Sequence, residues 1–375
     1  MAMDNFAFII HPIDPKRDVQ RKFPLLGKVL PVPAINFLSR FFPPLYISHI
    51  TGIRSQATGK EVEGWFVACP FTSRSMVTLP SKVVYRKIIA TAKMAARKFG
   101  AQLVGLGAYT SVVGDGGVTI GRNVAVPVTT GDSYTVAVAV EAVKKAAERM
   151  EIDLSTATAA VVGATGAIGA VAAELLAKDV PQIVLIGRRA DRLMAVRSRC
   201  EVAGAEVQIT SDMNALRQAD LIITVSSALE AIIQPEHLKP GAVVCDVARP
   251  RDVSRAVVEQ RDDVLVIEGG MVEVPGDVDF HFNFGFPPRM AYACMAETIA
   301  LALEGRYESY TLGKDLTIAQ VQAIEQIARK HGFKLGGFRS FERAVTDEQI
   351  ERIKQNARQA RSVRSGRLQP TASIN

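Results

Sequence analysis

The chain has 375 residues, of which 48% are hydrophobic and 22% charged, and this composition predicts a globular protein of two or three domains. The net charge of +7 predicts a basic surface, but no dense run of Lys and Arg with interleaved aromatic residues occurs, so nucleic acid is not an expected partner. The cysteines, Cys69, Cys200, Cys245 and Cys294, are far apart and form no zinc-ligand spacing. We therefore expect a reduced, cytoplasmic protein without a metal site.

The first 153 residues are predicted to form an α/β domain. Apolar runs predict strands at residues 6–11, 61–69, 102–106 and 124–128, and helical spacing predicts helices at 82–98 and 134–150. No signal peptide is expected at the N-terminus.

A Pro-rich apolar stretch, residues 23–53, lies inside this domain. Lys28, Arg40 and several prolines interrupt it, which argues against a membrane span. Its large side chains would cover a core, line a channel for an apolar chain or touch a lipid surface, and core cover is the usual outcome. These side chains are Phe37, Leu38, Phe41, Phe42 and Leu45. At most, we expect peripheral contact with a membrane.

A glycine-rich stretch organises the middle of the chain. Residues 159–162 are small and β-branched, as in a buried strand, and glycines then recur at a spacing of three before helix-forming residues. The first glycine allows a tight turn, the second lets the backbone approach a pyrophosphate, and the third lets the helix pack closely on the sheet. The pattern predicts a dinucleotide-binding loop at a helix N-terminus. The loop residues are Gly163, Ala164, Thr165, Gly166, Ala167, Ile168 and Gly169.

The next predicted strand, residues 182–186, ends in Gly187, Arg188 and Arg189. An NAD site usually carries an acidic residue there, which binds the ribose 2′-OH. Two guanidinium groups suit a 2′-phosphate instead, so Arg188 and Arg189 favour NADP over NAD. The alternative is that both are solvated residues at a helix start.

Four more strands are predicted in the middle domain, at residues 206–209, 219–224, 242–246 and 264–268. Alternating strands and helices imply a Rossmann-like, doubly wound parallel sheet over residues 154–275.

Residues 276–375 are predicted to form a C-terminal helical segment. It begins with an aromatic loop at 280–288, and helical patterns follow at 289–304, 317–331 and 347–360. The tail from about residue 361 is basic and polar, and is predicted to be disordered.

Cys294 lies in the Ala-rich helical pattern behind the aromatic loop. A bare cysteine in such a helix is usually a small core residue. Its small neighbours and the apolar loop favour a second interpretation, in which the thiolate attacks an acyl thioester and hydride then reduces the enzyme-bound acyl group. Glu297, one turn away, would raise the pKa of the thiol. Little help is expected from the helix dipole, because Cys294 falls beyond the first predicted turn.

Several motifs occur in order between about residues 60 and 335. They are Gly107-Ala108-Tyr109-Thr110-Ser111, Thr129-Thr130-Gly131-Asp132-Ser133-Tyr134-Thr135, the glycine loop, Gly269-Gly270, Arg289 through Ala293-Cys294-Met295-Ala296-Glu297, and Lys330-His331-Gly332-Phe333. In this order they resemble the long-chain acyl-[acyl-carrier-protein] reductases of cyanobacteria, which make fatty aldehydes. One departure is Asp132, where that family usually has Asn.

The resemblance implies NADPH as the hydride donor and a covalent thioester on Cys294. It also implies a long acyl chain delivered on acyl carrier protein or CoA, and a basic surface would suit the acidic carrier. An enzyme that consumes the aldehyde is a further candidate partner.

Other polar residues are candidates for supporting roles. His331 is a candidate acid or base, although a His before Gly at a helix end is more often a C-cap residue. Ser111, Thr130 and Tyr134 could hydrogen-bond the thioester carbonyl. The remaining cysteines are interpreted as structural.

Three alternatives remain at this point. A short-chain alcohol dehydrogenase would use the Tyr310-x-x-x-Lys314 pattern, but Gly313 argues against the helix that this pattern needs. A shikimate or quinate dehydrogenase would need a Lys and Asp pair in the first domain, and no well-placed pair is evident. The chain could also be an NADP-sensing protein without turnover.

Overall fold

Strands and helices alternate along most of the chain in the computed structural model, which describes residues 3–367. The strands are β1 Asn5–Ile10, β2 Leu45–Arg54, β3 Glu61–Ala68, β4 Val104–Leu106, β5 Val128–Thr129, β6 Thr158–Val162, β7 Gln182–Ile186, β8 Glu206–Thr210, β9 Leu221–Thr224, β10 Val243–Asp246, β11 Leu265–Glu268, β12 Met271–Glu273, β13 Gly276–Asp279, β14 Met290–Tyr292, β15 Lys334–Leu335, β16 Arg339–Ser340 and β17 Arg343–Ala344. The helices are α1 Pro15–Lys22, α2 Pro24–Val29, α3 Val32–Leu38, α4 Ser73–Thr78, α5 Ser81–Phe99, α6 Tyr109–Val112, α7 Val118–Arg122, α8 Asp132–Arg149, α9 Ala167–Leu176, α10 Ala190–Ala203, α11 Arg255–Gln260, α12 Ala293–Glu304, α13 Ile318–His331 and α14 Asp347–Arg367.

The chain divides into two compact units, each built from two segments. Unit 1 contains the residues up to 138 together with 270–336, and unit 2 contains 139–269 together with the chain from 337 onward. This division differs from the predicted boundaries at 153 and 275. Residues 276–336 were expected in a separate C-terminal segment, but they belong to unit 1 because β13 joins its sheet and α12 packs on that sheet.

The main sheet of unit 1 has the strand order β13-β2-β3-β1-β4-β5. Strands β3, β1, β4 and β5 are parallel to one another. At the β3 edge, β2 pairs antiparallel with β3, and β13 pairs antiparallel with β2. Successive side chains of a strand point to opposite faces. Accordingly, Val104 and Leu106 join the apolar cluster under α5, whereas the intervening Gly105 faces α12. A Cβ at Gly105 would lie 2.2 Å from the Thr298 hydroxyl oxygen, so this glycine lets α12 lie close to the sheet.

Unit 2 contains a six-stranded sheet in the order β11-β10-β9-β6-β7-β8, and all its strands are parallel. Read in chain order, this is the 3-2-1-4-5-6 arrangement of a doubly wound dinucleotide-binding fold. All of these strands except the edge strand β8 are almost wholly buried, as expected when helices cover both faces of a parallel sheet. The Rossmann-like sheet predicted from the sequence is therefore confirmed.

Three predicted elements differ from the structure. The strand predicted at residues 124–128 is reduced to β5, because residues 124–127 form an irregular segment after α7. The helix predicted from residue 289 begins only at Ala293, because residues 290–292 form β14 and pair antiparallel with β12. The tail predicted to be disordered from about 361 continues α14 as far as Arg367, and residues 368–375 lie outside the described part of the chain.

The Pro-rich stretch does not cover a core in the way that was expected. It folds into α2, α3 and nearly all of β2, whose Ile47, Ile50 and Ile53 are buried. Of the large side chains before β2, however, Phe37 is 58% and Phe41 72% exposed. Phe42 and Leu38 are also exposed, while Leu45 is half-buried. Among the described residues, no helix combines the length and the apolar character needed to cross a bilayer.

Candidate active site

The glycine loop of unit 2 links β6 to α9. Gly163 has φ +81°, and a Cβ there would lie 2.6 Å from the carbonyl oxygen of Val225. At Gly169 a Cβ would lie 2.4 Å from the carbonyl oxygen of Gly163, so the first turn of α9 can pack on the loop only without a side chain. Gly166 is the N-cap residue of α9, and a Cβ there would meet only the Gly163 carbonyl oxygen, at 3.4 Å. The loop therefore leaves room above the N-terminus of α9 for a phosphate-bearing ligand.

Arg188 and Arg189 follow the end of β7 and are exposed. Gly187 precedes them, and Arg189 is the N-cap residue of α10. Arg189 lies 4.0 Å from Asp191, and both side chains are at least half exposed, so this ion pair is weak and the guanidinium group can bind another anion.

Cys294 is held in unit 1 by the junction between β14 and α12. The β14–β12 pairing sets the position of Tyr292, the N-cap residue, and the Ala293 N–H donates to the Gly270 carbonyl at 2.6 Å. Cys294 is thus the second residue of the helix. The expectation that it lies beyond the first turn is wrong, because the preceding residues form a strand. The helix dipole can therefore stabilise a Cys294 thiolate.

The turn that joins β5 to α8 lies against Cys294. Gly131 in this turn has φ +78°, and a Cβ there would lie 2.2 Å from the Cys294 Cα. The two helices that begin at Asp132 and Ala293 therefore place their first turns side by side.

Glu297 lies one helical turn after Cys294 on α12, and its side chain binds the residues that join β5 to α8. Its carboxylate accepts hydrogen bonds from the Thr129 hydroxyl, from the Thr311 hydroxyl at 3.0 Å and from the Tyr134 N–H at 2.9 Å. The side chain is fully buried. Because its oxygens accept from three elements, Glu297 connects α12 to the start of α8 and to residues 310–313.

Burial and neighbouring carboxyl groups shift the acidity of the site. Burial, then Asp132 and Glu297, raise the pKa of Cys294 to about 12, while the N–H groups of Met295 and Cys294 itself act in the opposite direction. Burial and the charge of Glu297 raise the pKa of Asp132 to about 8, so this carboxyl is mainly neutral at pH 7. Burial also raises the pKa of Glu297, against the hydrogen bonds that it accepts.

The other cysteines have different surroundings. Cys69, Cys200 and Cys245 are fully buried, whereas Cys294 is partly exposed. Burial raises the pKa of each buried thiol to about 12. Only Cys294 among the four combines access with a helix N-terminus.

The predicted carbonyl-binding residues lie at the carboxyl edge of the unit 1 sheet. Thr130 is in the turn beside Gly131, and its hydroxyl donates to the Thr311 carbonyl at 2.5 Å. Tyr134 follows on α8 and is buried, with its ring edge-on to Phe333. Ser111 lies in α6, after the neighbouring strand β4, and its hydroxyl donates to the Ala108 carbonyl at 2.7 Å. The Thr130 and Ser111 hydroxyls already donate their protons to backbone carbonyls, so in this arrangement they can only accept a further hydrogen bond.

The structure does not bring His331 to Cys294. The imidazole lies 2.7 Å from Glu304 and 2.7 Å from the Ser55 hydroxyl, and is 1% exposed. Glu304 is the last residue of α12, and the ten residues from Cys294 span about 15 Å of helix. His331 therefore joins the C-terminal ends of α12 and α13, and the expected catalytic role is replaced by a structural one.

Residues 310–314 do not form the helix that a short-chain dehydrogenase needs. Thr311 has φ +50° and Gly313 has φ +89°, and the Tyr310 hydroxyl donates to the Gln320 carbonyl at 2.8 Å. Burial raises the pKa of Tyr310 to about 12. Thr311 itself was missed by the sequence reasoning, and no local signal would have linked it to Glu297.

The sheet order and the glycine loop of unit 2 define a Rossmann-type fold, the class of fold found in NAD(P)-dependent oxidoreductases. Residues 144–268 match the shikimate/quinate 5-dehydrogenase family. The shikimate 5-dehydrogenase structure from Listeria monocytogenes has 13% identity, with a TM-score of 0.36 over 87% of this chain and 96% of that one.

Two curated proteins are similar along most of the chain. A long-chain acyl-[acyl-carrier-protein] reductase from Synechococcus elongatus is 30% identical over 310 residues, which cover 78% of this chain and 87% of that protein. The chain belongs to this reductase family. The aminotransferase PigE from a Serratia species is also 30% identical, over 80% of this chain, but the chain spans only 35% of that longer protein.

Proposed function

We propose that this protein reduces a long-chain acyl thioester, carried on acyl carrier protein or CoA, to a fatty aldehyde through an acyl group on Cys294. The observation that carries the proposal is the position of Cys294, which is a partly exposed residue at the start of α12 with Gly131 packed on its backbone. Membership in the reductase family supports the substrate class.

The loop of unit 2 fits the cofactor that this reaction requires. The open face at Gly166 and the N-terminus of α9 suit a pyrophosphate, and Arg188 and Arg189 would hold a 2′-phosphate. When bound, NADPH supplies the hydride that converts the acyl group on Cys294 to aldehyde and restores the thiolate.

The residues of unit 1 carry out the acyl transfer. The Cys294 sulfur attacks the carbonyl carbon of the thioester, a new C–S bond forms, and the bond from that carbon to the carrier sulfur breaks. The carrier leaves as a thiol and takes the proton that Cys294 gave up. The dipole of α12 and the Met295 N–H favour the attacking thiolate and so offset part of the burial that raises the pKa of Cys294.

Asp132 contributes through its neutral form. With a pKa of about 8, its carboxyl retains a proton at pH 7 and does not oppose the Cys294 thiolate. A neutral carboxyl also donates a hydrogen bond, as the amide of Asn would, and can stabilise the acyl oxygen as charge develops on it.

A shikimate-type dehydrogenase is a second candidate, which the family match of residues 144–268 favours. That match lies within unit 2 and therefore bears on the cofactor more than on the substrate. Oxidation of shikimate or quinate with NADP⁺ by the purified protein, with no acyl thioester reduced, would favour this candidate.

The deciding experiment is mass spectrometry after incubation with palmitoyl-CoA, first without and then with NADPH. We expect one palmitoyl adduct that maps to Cys294 and is released as aldehyde when NADPH is added. Cys294→Ser should give no reductive release, and Cys200→Ala, a change in a buried cysteine, should behave as the wild type. Aldehyde formation by Cys294→Ser would overturn the mechanism, and absence of both adduct and NADPH consumption would favour a sensing protein.

A further inference from the structure

Exposed apolar side chains are concentrated in one short part of unit 1. Of the eighteen large hydrophobic residues found exposed in the described chain, ten lie between Phe23 and Tyr46. The most exposed of these ten are Leu25 at 79%, Val29 at 76% and Phe41 at 72%. Scattered apolar residues are normal on a protein surface, whereas such a concentration marks an interaction site. We call Leu25, Leu26, Val29, Phe37, Phe41 and Phe42 the N-terminal apolar face.

The backbone beneath this face is firmly held. Gly27 packs so closely on α1 that a Cβ there would lie 2.3 Å from the Gln20 Cα. The Thr72 hydroxyl donates to the Asn36 side chain at 2.7 Å, and the Lys87 ammonium donates to the Phe42 carbonyl at 2.8 Å. The apolar side chains are therefore presented outward by an anchored segment.

Positive charge is concentrated in the same part of the chain. Residues 14–46 contain six basic side chains against two acidic ones, which leaves a net charge of +4. Lys28 lies in α2 and Arg40 follows α3, and both are exposed. The other cations are Lys16, Arg17, Arg21 and Lys22. Apolar side chains flanked by cations are complementary to the surface of a bilayer that contains anionic lipids.

We propose that the N-terminal apolar face docks onto an anionic lipid bilayer and inserts its apolar side chains at the boundary between headgroups and acyl chains. Helices α2 and α3 have six and seven residues, so they can lie in this boundary but cannot cross it. Phe37 and Phe41 meet edge to face at 5.3 Å and form a protruding aromatic pair. This docking does not depend on the proposed reaction.

The test is cosedimentation of the full chain with vesicles of phosphatidylcholine alone or mixed with phosphatidylglycerol. We expect binding to the mixed vesicles, weakened but not abolished by salt because the apolar contribution remains. The triple variant Leu25→Glu, Val29→Glu and Phe41→Glu should lower the partition coefficient at least about a hundredfold. The control is Met194→Glu, Val202→Glu and Val258→Glu, which adds the same charge at other exposed apolar positions and should bind as the wild type.

Circular dichroism of both triple variants checks that the fold is retained, which is expected because the substituted side chains are exposed. Absence of wild-type binding to mixed vesicles, or equal binding by the two triple variants, would overturn the proposal. The proposal would also be overturned if the face variant bound vesicles like the wild type but no longer self-associated or bound acyl carrier protein. The N-terminal apolar face would then be a site for a protein partner.

Discussion

Gly131 lies directly against Cys294, and a Cβ at position 131 would fall 2.2 Å from the Cys294 Cα and 2.3 Å from its Cβ. Gly131 also has a backbone φ of +78°, a conformation that residues other than glycine rarely adopt. This contact ties the turn before α8 to the first turn of α12. The position of the thiol therefore depends on a residue that has no side chain and no chemistry of its own.

Replacing Gly131 with alanine should destabilise the fold and displace the thiol. We expect Gly131→Ala to lower the free energy of unfolding by about 2–4 kcal/mol, because backbone strain and overpacking add. Gly100→Ala is the control, since Gly100 has φ +67° but open space around it, and should cost only about 1 kcal/mol. Urea unfolding curves measure both. Equal losses would show that the contact with Cys294 contributes nothing.

Asp132 should make the reactivity of Cys294 depend on pH. The pKa of Asp132 is about 8, so its carboxyl is neutral near pH 7 and becomes charged as the pH rises. That charge opposes the Cys294 thiolate. The ratio of iodoacetamide alkylation rates, Asp132→Asn over wild type, should therefore be close to one near pH 7 and rise up to about tenfold above pH 8.

The control for this ratio is Glu141→Gln, which changes a surface carboxylate of α8 that pairs with Lys145. Its alkylation rate should follow the wild type at every pH. A ratio for Asp132→Asn that is already well above one near pH 7 would mean that Asp132 is charged there, and would remove its proposed role as a neutral donor.

The cofactor unit could be predicted from the sequence because its signals are local. Each strand of the parallel sheet is a short buried run, and the roles of Gly163 and Gly169 follow from their places between a strand and a helix. The start of α12 could not be predicted in this way. Met290 and Ala291 favour a helix by propensity, but their strand partners in β12 lie some twenty residues earlier in the chain and override that preference.

The sequence also did not predict which side chains are buried in the N-terminal segment and around Glu297. The apolar pattern of residues 37–45 indicates that these side chains avoid water, but not whether another element covers them. Thr311 meets Glu297 only because residues 310–313 return to the end of β5, where Tyr310 forms a bridge with Thr129. Such contacts depend on the tertiary fold and leave no periodic trace in the sequence.

The arginine pair after β7 should determine the choice of cofactor. Replacing both Arg188 and Arg189 with alanine removes two guanidinium groups that suit a 2′-phosphate, so the KM for NADPH should rise at least about tenfold while that for NADH changes little. Arg197→Ala, on the same helix α10 but paired with Glu201, is the control and should leave both constants unchanged. Initial-rate kinetics with each cofactor provide the measurement. A parallel rise for both cofactors would contradict a 2′-phosphate site.

His11 should make the stability of unit 1 fall in weak acid. The side chain is buried, its Nε2 accepts from the Tyr109 N–H at 3.1 Å, and its Nδ1 lies 3.3 Å from the Pro12 carbonyl, so the ring is neutral with its proton on Nδ1. Burial lowers the pKa of His11 from 6.5 to about 4.

An unfolded chain binds a proton at His11 below pH 6.5, whereas the folded chain resists protonation down to about pH 4. Stability is therefore present above pH 6.5 and is lost as the pH falls towards 4, by about 3 kcal/mol in total. Denaturant unfolding should show that the free energy of unfolding of His11→Gln no longer falls in this way between pH 6.5 and 4, whatever its value at neutral pH. His281→Gln changes an exposed histidine and should retain the slope. The same slope in His11→Gln and the wild type would show that protonation of another group drives the loss.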